Sequence, residues 1–353
     1  MTHLKKKVLI FIGFLPLIVF LFSCGKEPEL EEYPFLTFED RSIPSVYNCL
    51  DFDVVDEEII FVCNNITIEQ KIGFYHSPDG GKEWNKIGTI PYDFEFYDLD
   101  FKSISFVDEM NGIVVFNDFA YRTFDGGNTW NPITVTFPQN QEEQKLVFAG
   151  KNQNNQFILA DFKAFSDSPD GIYVLNPTEN EATMLYQFPN PNELHFSHGR
   201  INNNHLYLFT QQSSFGIKHI LHLDLTNEKL DSLTPEDYNI NTISDVVHGN
   251  DRYLLLYGKY SVRFYGDYEH FKYVGYATSF KSLAYLEQDD LFIVGGETAM
   301  HWHKNGAWET IRNEVGKGKI DGIDIKKMKV FSKDFLYLMG SHHFSKARIH
   351  EVE

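Results

Sequence analysis

Beyond residue 33 the chain alternates short apolar runs with polar turns, and a helical hydrophobic period is hard to find anywhere. The best-defined unit opens with Ile104-Ser105-Phe106-Val107, turns through Asp108-Glu109-Met110-Asn111-Gly112 and re-enters an apolar run at Ile113-Val114-Val115. Ala120-Tyr121 and Ile133 supply two further runs around a second polar turn. Runs rich in Phe, Tyr, Ile and Val, bounded by Asn, Asp and Gly, are the mark of strands joined by hairpins. The order predicts a four-stranded antiparallel unit.

The same order recurs along the chain. Residues 50–62 form a hairpin about Asp56, and 146–148, 157–160, 172–175 and 184–186 fit a complete unit. Partial copies follow at 206–209 and 220–225, then at 253–257, 262–265 and 271–274. Later copies lie at 283–285, 291–294 and 300–302, and at 328–331, 335–339 and 347–350. The total is seven units of about 40 residues, with six or eight as the neighbouring counts. The last unit has three clear strands, and Phe35-Leu36-Thr37-Phe38, ahead of the first, is placed to supply its missing outer strand. Pairing the two termini in this way would leave no exposed sheet edge.

Two stretches set the period. Ser77-Pro78-Asp79-Gly80-Gly81-Lys82-Glu83-Trp84 and Thr123-Phe124-Asp125-Gly126-Gly127-Asn128-Thr129-Trp130 share the pattern [S/T]-x-D-G-G-x-x-W, 46 residues apart. Asp-Gly between apolar runs signals a tight corner, in which the glycines take positive φ and the Asp and Ser/Thr side chains hold backbone amides. The Trp turns back beneath the corner, with an indole N–H that needs an acceptor. Ser77, Asp79, Gly81, Trp84, Thr123, Asp125, Gly127 and Trp130 are therefore structural residues, not catalytic ones.

These residues resemble the Asp-box, or BNR repeat, of sialidase-like β-propellers. The run from Ile104 to Val115 before the second box resembles, more narrowly, the photosystem II assembly-factor-like group of propellers. The resemblance implies an all-β chain folded as a single β-propeller, here with seven four-stranded blades closed by the N- and C-terminal strands. It also places the boxes on the blade periphery, remote from any active site. Sialidase chemistry does not transfer. It would need an arginine cluster, an Arg-Ile-Pro element and a Tyr-Glu pair, and the seven arginines beyond the N-terminal segment never stand in an Arg-Ile-Pro context.

The N-terminus carries its own message. Lys5-Lys6-Lys7 precede an apolar run from Val8 to Phe22, shorter than the ~20 residues a spanning helix needs and suited to a secretory signal. The run ends in Leu21-Phe22-Ser23-Cys24-Gly25, which resembles a bacterial lipobox. The expectation is a signal peptide over 1–23, lipidation of Cys24, an acidic flexible tether over 24–34 and the propeller over 35–353. Membrane attachment would then run through the lipid on Cys24. The protein would be an outer-membrane lipoprotein on the periplasmic face or the cell surface of a Bacteroidetes-type envelope.

Charge narrows the partners. The chain carries −19, and loss of residues 1–23 removes three lysines and no acid. Such acidity argues against nucleic acid as a partner. Cys49 and Cys63 remain; folding the 50–62 hairpin symmetrically about Asp56 sets them opposite one another. That leaves a cross-strand disulfide or two buried thiols as the alternatives.

Candidate chemistry is thin. His195, His198, Arg200 and His205 cluster in sequence, His301 and His303 share a strand face about Trp302, and His342-His343 follow later. A metal needs three or four convergent ligands, and spacing gives no sign of convergence, so neither a metal nor a cofactor is expected. The aromatic loop Tyr92–Tyr97 and Trp302 are candidates for stacking on a ligand. The function expected is a non-enzymatic binding or assembly platform for envelope proteins or glycans. Its rival is a glycoside hydrolase or lyase with carboxylates converging at the central channel.

Overall fold

The structure, a computed structural model, describes residues 34–44, 46, 48–66, 69–91, 101–116, 119–133, 145–162, 171–187, 195–202, 204–211, 217–227, 229–233, 243–249, 252–257, 261–265, 271–272, 279–297, 299–313, 324–340 and 343–351. The signal and Cys24 expectations, the tether up to residue 33, and the Tyr92–Tyr97 loop lie outside these residues.

Seven antiparallel blades make up the described chain. The first comprises β2 (Cys49–Val54), β3 (Ile60–Ile66), β4 (Lys71–Ser77) and β5 (Asn85–Pro91), and the second β6 (Phe101–Phe106), β7 (Gly112–Phe116), β8 (Phe119–Thr123) and β9 (Asn131–Pro132). The third holds β10 (Lys145–Lys151), β11 (Phe157–Phe162), β12 (Gly171–Leu175) and β13 (Thr183–Gln187). The fourth holds β14 (His195–Asn202), β15 (His205–Gln211), β16 (Ile217–Asp224) and β17 (Lys229–Leu233). The fifth is β18 (Ile243–Gly249), β19 (Arg252–Tyr257), β20 (Ser261–Phe264) and β21 (Phe271–Lys272). The sixth is β22 (Phe280–Leu286), β23 (Leu291–Gly296), β24 (Met300–Lys304) and β25 (Ala307–Asn313).

The seventh blade is assembled from both ends of the chain. β26 (Lys327–Ser332), β27 (Phe335–Met339) and β28 (Phe344–His350) are completed by β1 (Phe35–Asp40), antiparallel to β28 over six residue pairs. Phe35 stacks on His350, ring centroids 4.5 Å apart, and Thr37 Oγ1 meets His350 Nε2 at 2.9 Å. β1 also touches β25 in parallel through Phe35 and Leu36, joining the sixth and seventh blades into one eight-stranded sheet.

The core lies between blades. Second strands such as β7 and β23 are buried along their whole length, which is why they read as unbroken apolar runs. Seven buried apolar clusters each bridge two consecutive blades, and the last ties Phe52, Val54 and Val62 of the first blade to Tyr337, Met339 and Phe344 of the seventh. Seven interfaces for seven blades mean a closed ring, so burial is continuous around it.

The two Asp-Gly-Gly corners connect the third and fourth strands of the first two blades. Ser77 Oγ and Asp79 Oδ1 accept the N–H groups of Gly81 (2.8 Å) and Glu83 (2.9 Å); Thr123 Oγ1 and Asp125 Oδ1 do the same for Gly127 (2.8 Å) and Thr129 (2.9 Å). All four glycines have φ between 68° and 86°. Each Trp packs on the preceding blade. The Trp84 indole donates to Arg41 O at 2.8 Å, whereas Trp130 stacks on Phe74 and its indole N–H has no acceptor among the described residues.

The hairpin about Asp56 is not symmetric. Its strands pair about Glu57 instead, which sets Cys63 opposite Asp51, and a β-bulge between Cys49 and Asp51 then leaves Cys49 facing Asn64. Both sulfurs are buried free thiols, and Cys63 Sγ donates to Asp51 O at 3.3 Å. Burial pushes the Cys49 thiol up to about 11 and Cys63 well above its ordinary value.

Candidate functional site

The innermost strands β2, β6, β10, β14, β18, β22 and β26 surround a central cavity of about 590 Å³. Strands that face a wet channel carry polar side chains inward, and six of the seven share a further device. β2, β6, β10, β14, β18 and β22 each have a bulge near their start, and the residue after it is Asp51, Ser103, Phe148, His198, Asp245 and Ser282 in turn. Four of these side chains accept a backbone N–H from the next blade. Asp51 Oδ2 takes Ile104 N (3.3 Å), Ser103 Oγ takes Ala149 N (3.2 Å), Asp245 Oδ2 takes Leu283 N (2.8 Å) and Ser282 Oγ takes Met328 N (3.2 Å). Two residues on, Asp53 Oδ2 accepts Phe106 N at 2.7 Å. The first strands of neighbouring blades are thus stitched by side chains where no ladder joins them.

Charge in the cavity runs against that of the whole chain. Among the described residues, Lys151, Arg200, Lys281, Lys326, Lys327 and Lys329 line it together with Asp51, Asp53 and Asp245, and Lys281 also pairs with Glu297 at 3.3 Å, in a protein of net charge −19. Lys327 pairs with Asp51 and Lys329 with Asp53 across the seam between the seventh and first blades, Lys151 reaches Asp53 at 3.4 Å, and Arg200 pairs with Asp245. Burial alone would raise the Asp53 carboxyl, but Lys151 and Lys329, with the Phe106 N–H, hold it well below the usual carboxylate range. Burial pulls Lys329 down to about 8 despite Asp53, with Lys151 and Lys327 adding to the fall.

The carboxylates are fully engaged. Asp51 also receives Phe52 N, Asp53 receives Val54 N and Asp245 receives Val246 N, so both oxygens of each are occupied by backbone amides and cations. A general acid needs a raised pKa and a free face towards substrate. Asp53 has the opposite bias.

The residues singled out in sequence are dispersed. Both Asp-Gly-Gly corners lie at the third-to-fourth-strand turns, and the Asp79 and Asp125 carboxyls are spent on their own backbone. Trp302 is 3 % exposed and its indole donates to Glu309 at 3.0 Å, so it is core and not a stacking platform. His301 is buried against Thr310, and burial lowers it to about 4; His303 packs among Phe264, Phe292 and Trp308. The side chains of His195 and His198 and all of His342 lie outside the described residues. Among the described residues, His205 joins other histidines, His222 and His248, which carry no signal in the sequence. The alternation His222-Leu223-Asp224 reads as an ordinary strand; the β15–β16 register brings His205 and His222 together, and β18 of the next blade adds His248.

These features define a seven-bladed β-propeller with a polar, cation-rich channel. No family model matches the chain, and no curated protein matches it. Among solved structures it is similar to YCF48 bound to D1 peptide (16% identity, TM-score 0.59, covering 89% of this chain and 97% of that one) and to YCF48 from Cyanidioschyzon merolae (13%, 0.58, 88% and 98%). A streptogramin B lyase structure is similar at 8% identity and TM-score 0.55, covering 89% and 98%. At these identities the likeness concerns the fold.

Proposed function

We propose that this chain is a lipid-anchored propeller of the cell envelope that serves as a non-enzymatic binding or assembly platform. The observation that carries the reading is the channel, a cation-rich mouth in a strongly acidic protein whose carboxylates are already consumed by backbone amides and lysines. Such a mouth suits an anionic group, a carboxylate on a protein segment or an acidic glycan, and among the described residues its carboxylates are engaged by backbone amides and cations. Lys326 makes no ion pair among the described residues and is the natural first contact. The YCF48 structure in complex with D1 peptide is support by analogy for a peptide ligand. The lipobox-like Leu21-Phe22-Ser23-Cys24 and the Asp-box resemblance of the two corners support the envelope setting and the scaffold role.

The experiment is a pull-down from intact envelope with full-length protein, set beside a glycan array, using wild type and the Lys281→Glu/Lys326→Glu variant. Capture of an envelope protein that the charge-reversed variant loses supports the platform. Glycan binding with no copurifying protein defeats the assembly part, and cleavage of a bound glycan defeats the non-enzymatic part. Palmitate labelling that persists in Cys24→Ala would refute the anchor.

A further inference from the structure

We infer that His205, His222 and His248 form a zinc-type metal site between the fourth and fifth blades. The three residues come from three strands. His205 opens β15, His222 lies on β16 opposite Tyr207, and His248 lies on β18 opposite Tyr253. His205 faces Asp224, so in the antiparallel pair His205 and His222 are diagonal neighbours on one sheet face. The adjoining blade brings His248 to that face.

The rings form a nearly equilateral triangle. Centroids are 5.0 Å apart for His205 and His222, 5.3 Å for His205 and His248, and 5.2 Å for His222 and His248. Three imidazoles on one tetrahedral ion, with Zn–N of about 2.0–2.1 Å, place their centroids about 5 Å apart as well. The candidate ligand nitrogens all lie within 4.8 Å of one another, and His205 Nδ1 is 2.9 Å from His222 Nε2. Small rotations of the half-buried His205 and His248 rings bring the set to the roughly 3.3 Å spacing of tetrahedral ligands.

The surroundings fit a metal better than simple packing. His222 Nδ1 lies 2.8 Å from Tyr253 Oη, and Tyr253 Oη donates to Asp231 Oδ2 at 3.4 Å. A ring whose far nitrogen is held by a hydroxyl–carboxylate relay presents Nε2 inward, the outer-shell arrangement that fixes metal-bound histidines. A cavity bordered by Asp224, Lys229, Ser232 and Leu233 opens in front of the triangle. Three protein ligands with one position open to solvent is the pattern of an exchangeable zinc site rather than a closed structural one. With imidazole ligands only, Cu²⁺ and Ni²⁺ compete, and Ca²⁺ and Mg²⁺ do not.

The test is calorimetric titration of untagged, chelator-stripped full-length protein with Zn²⁺, backed by thermal melts. One equivalent should bind and raise the melting temperature. His205→Gln and His248→Gln should each weaken binding by at least 100-fold with an unchanged circular dichroism spectrum, and Tyr253→Phe by about 10-fold, as for outer-shell partners. Exposed His343→Gln should change nothing. Because His222→Gln risks misfolding at its buried position, the decisive variants are the two half-buried ligands, together with the visible spectrum of the Co²⁺ form, which should be tetrahedral. No saturable binding in wild type, or equal binding in His205→Gln and His248→Gln, overturns the site.

Discussion

Asp245 of the fifth blade accepts the backbone N–H of Leu283 in the sixth at 2.8 Å, and pairs through the same oxygen with Arg200 of the fourth. One carboxylate thereby holds three blades in register. Asp245→Asn keeps an acceptor for one amide but leaves the partly buried Arg200 without its counter-charge. We expect a loss of about 3 kcal/mol, the usual cost of removing one partner of a buried pair. Urea unfolding measures it, and a loss below about 1 kcal/mol would mean that Arg200 is effectively solvated.

Acid should act through Asp53. Its folded pKa lies below the ordinary carboxylate value of about 3.9, so its contribution is complete above pH ~4 and drains away as pH falls towards the folded value. Denaturant midpoints between pH 2 and 7 should drop steeply below pH 4 in wild type. Asp53→Asn, destabilised throughout, should show a shallower acid limb.

The two corner tryptophans should differ despite their shared motif. Trp84→Phe removes a donor from Arg41 O and should cost about 1–2 kcal/mol. Trp130→Phe gives up no hydrogen bond within the described residues and should cost less than half as much in the same denaturation assay.

Arg122 of β8 reaches the turn 176–180 of the next blade, where no Asp-Gly-Gly corner exists. Its guanidinium donates to the carbonyls of Asn176 (3.3 Å), Pro177 and Glu179 and packs over Phe124. A Lys cannot reproduce that fork. Arg122→Lys should raise amide exchange in residues 176–180 and lower stability by about 2 kcal/mol, with the other blades' exchange unchanged.

Backbone approach makes a last prediction. A Cβ on Gly88 would lie 2.1 Å from Gly127 O, whereas one on Gly306 would meet nothing within 4 Å, though its φ is +81°. Gly88→Ala must part the first and second blades and should lower the melting temperature far more than Gly306→Ala, whose cost is the roughly 1 kcal/mol of a left-handed alanine.

How far the chain can be read follows from what each strand faces. Second strands such as β7 and β23 lie between blades, so they are apolar throughout and plain in the sequence. β14 (HFSHGRIN) and β18 (ISDVVHG) are hidden because a channel-lining strand alternates polar with apolar residues and contains a bulge. Polar β17 is hidden because it lies on the outer edge of its blade. The channel charges and the histidine triangle are illegible for a related reason. Asp53 and Lys329 are 276 residues apart, and no local pattern predicts which lysine a carboxylate will meet.

The seventh blade imposes an order of events. Residues 35–40 leave the ribosome some 310 residues ahead of their antiparallel partner, 344–350. At about 5–20 residues per second, some 310 residues of synthesis leave the first strand waiting for roughly 15–60 s. During that time six blades can stack but the circle stays open, with one bare edge at each end. Completion of the ring therefore waits on residues 344–350. A product cut short before Phe344 keeps an unlatched strand and an open sheet edge, the features by which quality control and aggregation alike recognise an unfinished protein.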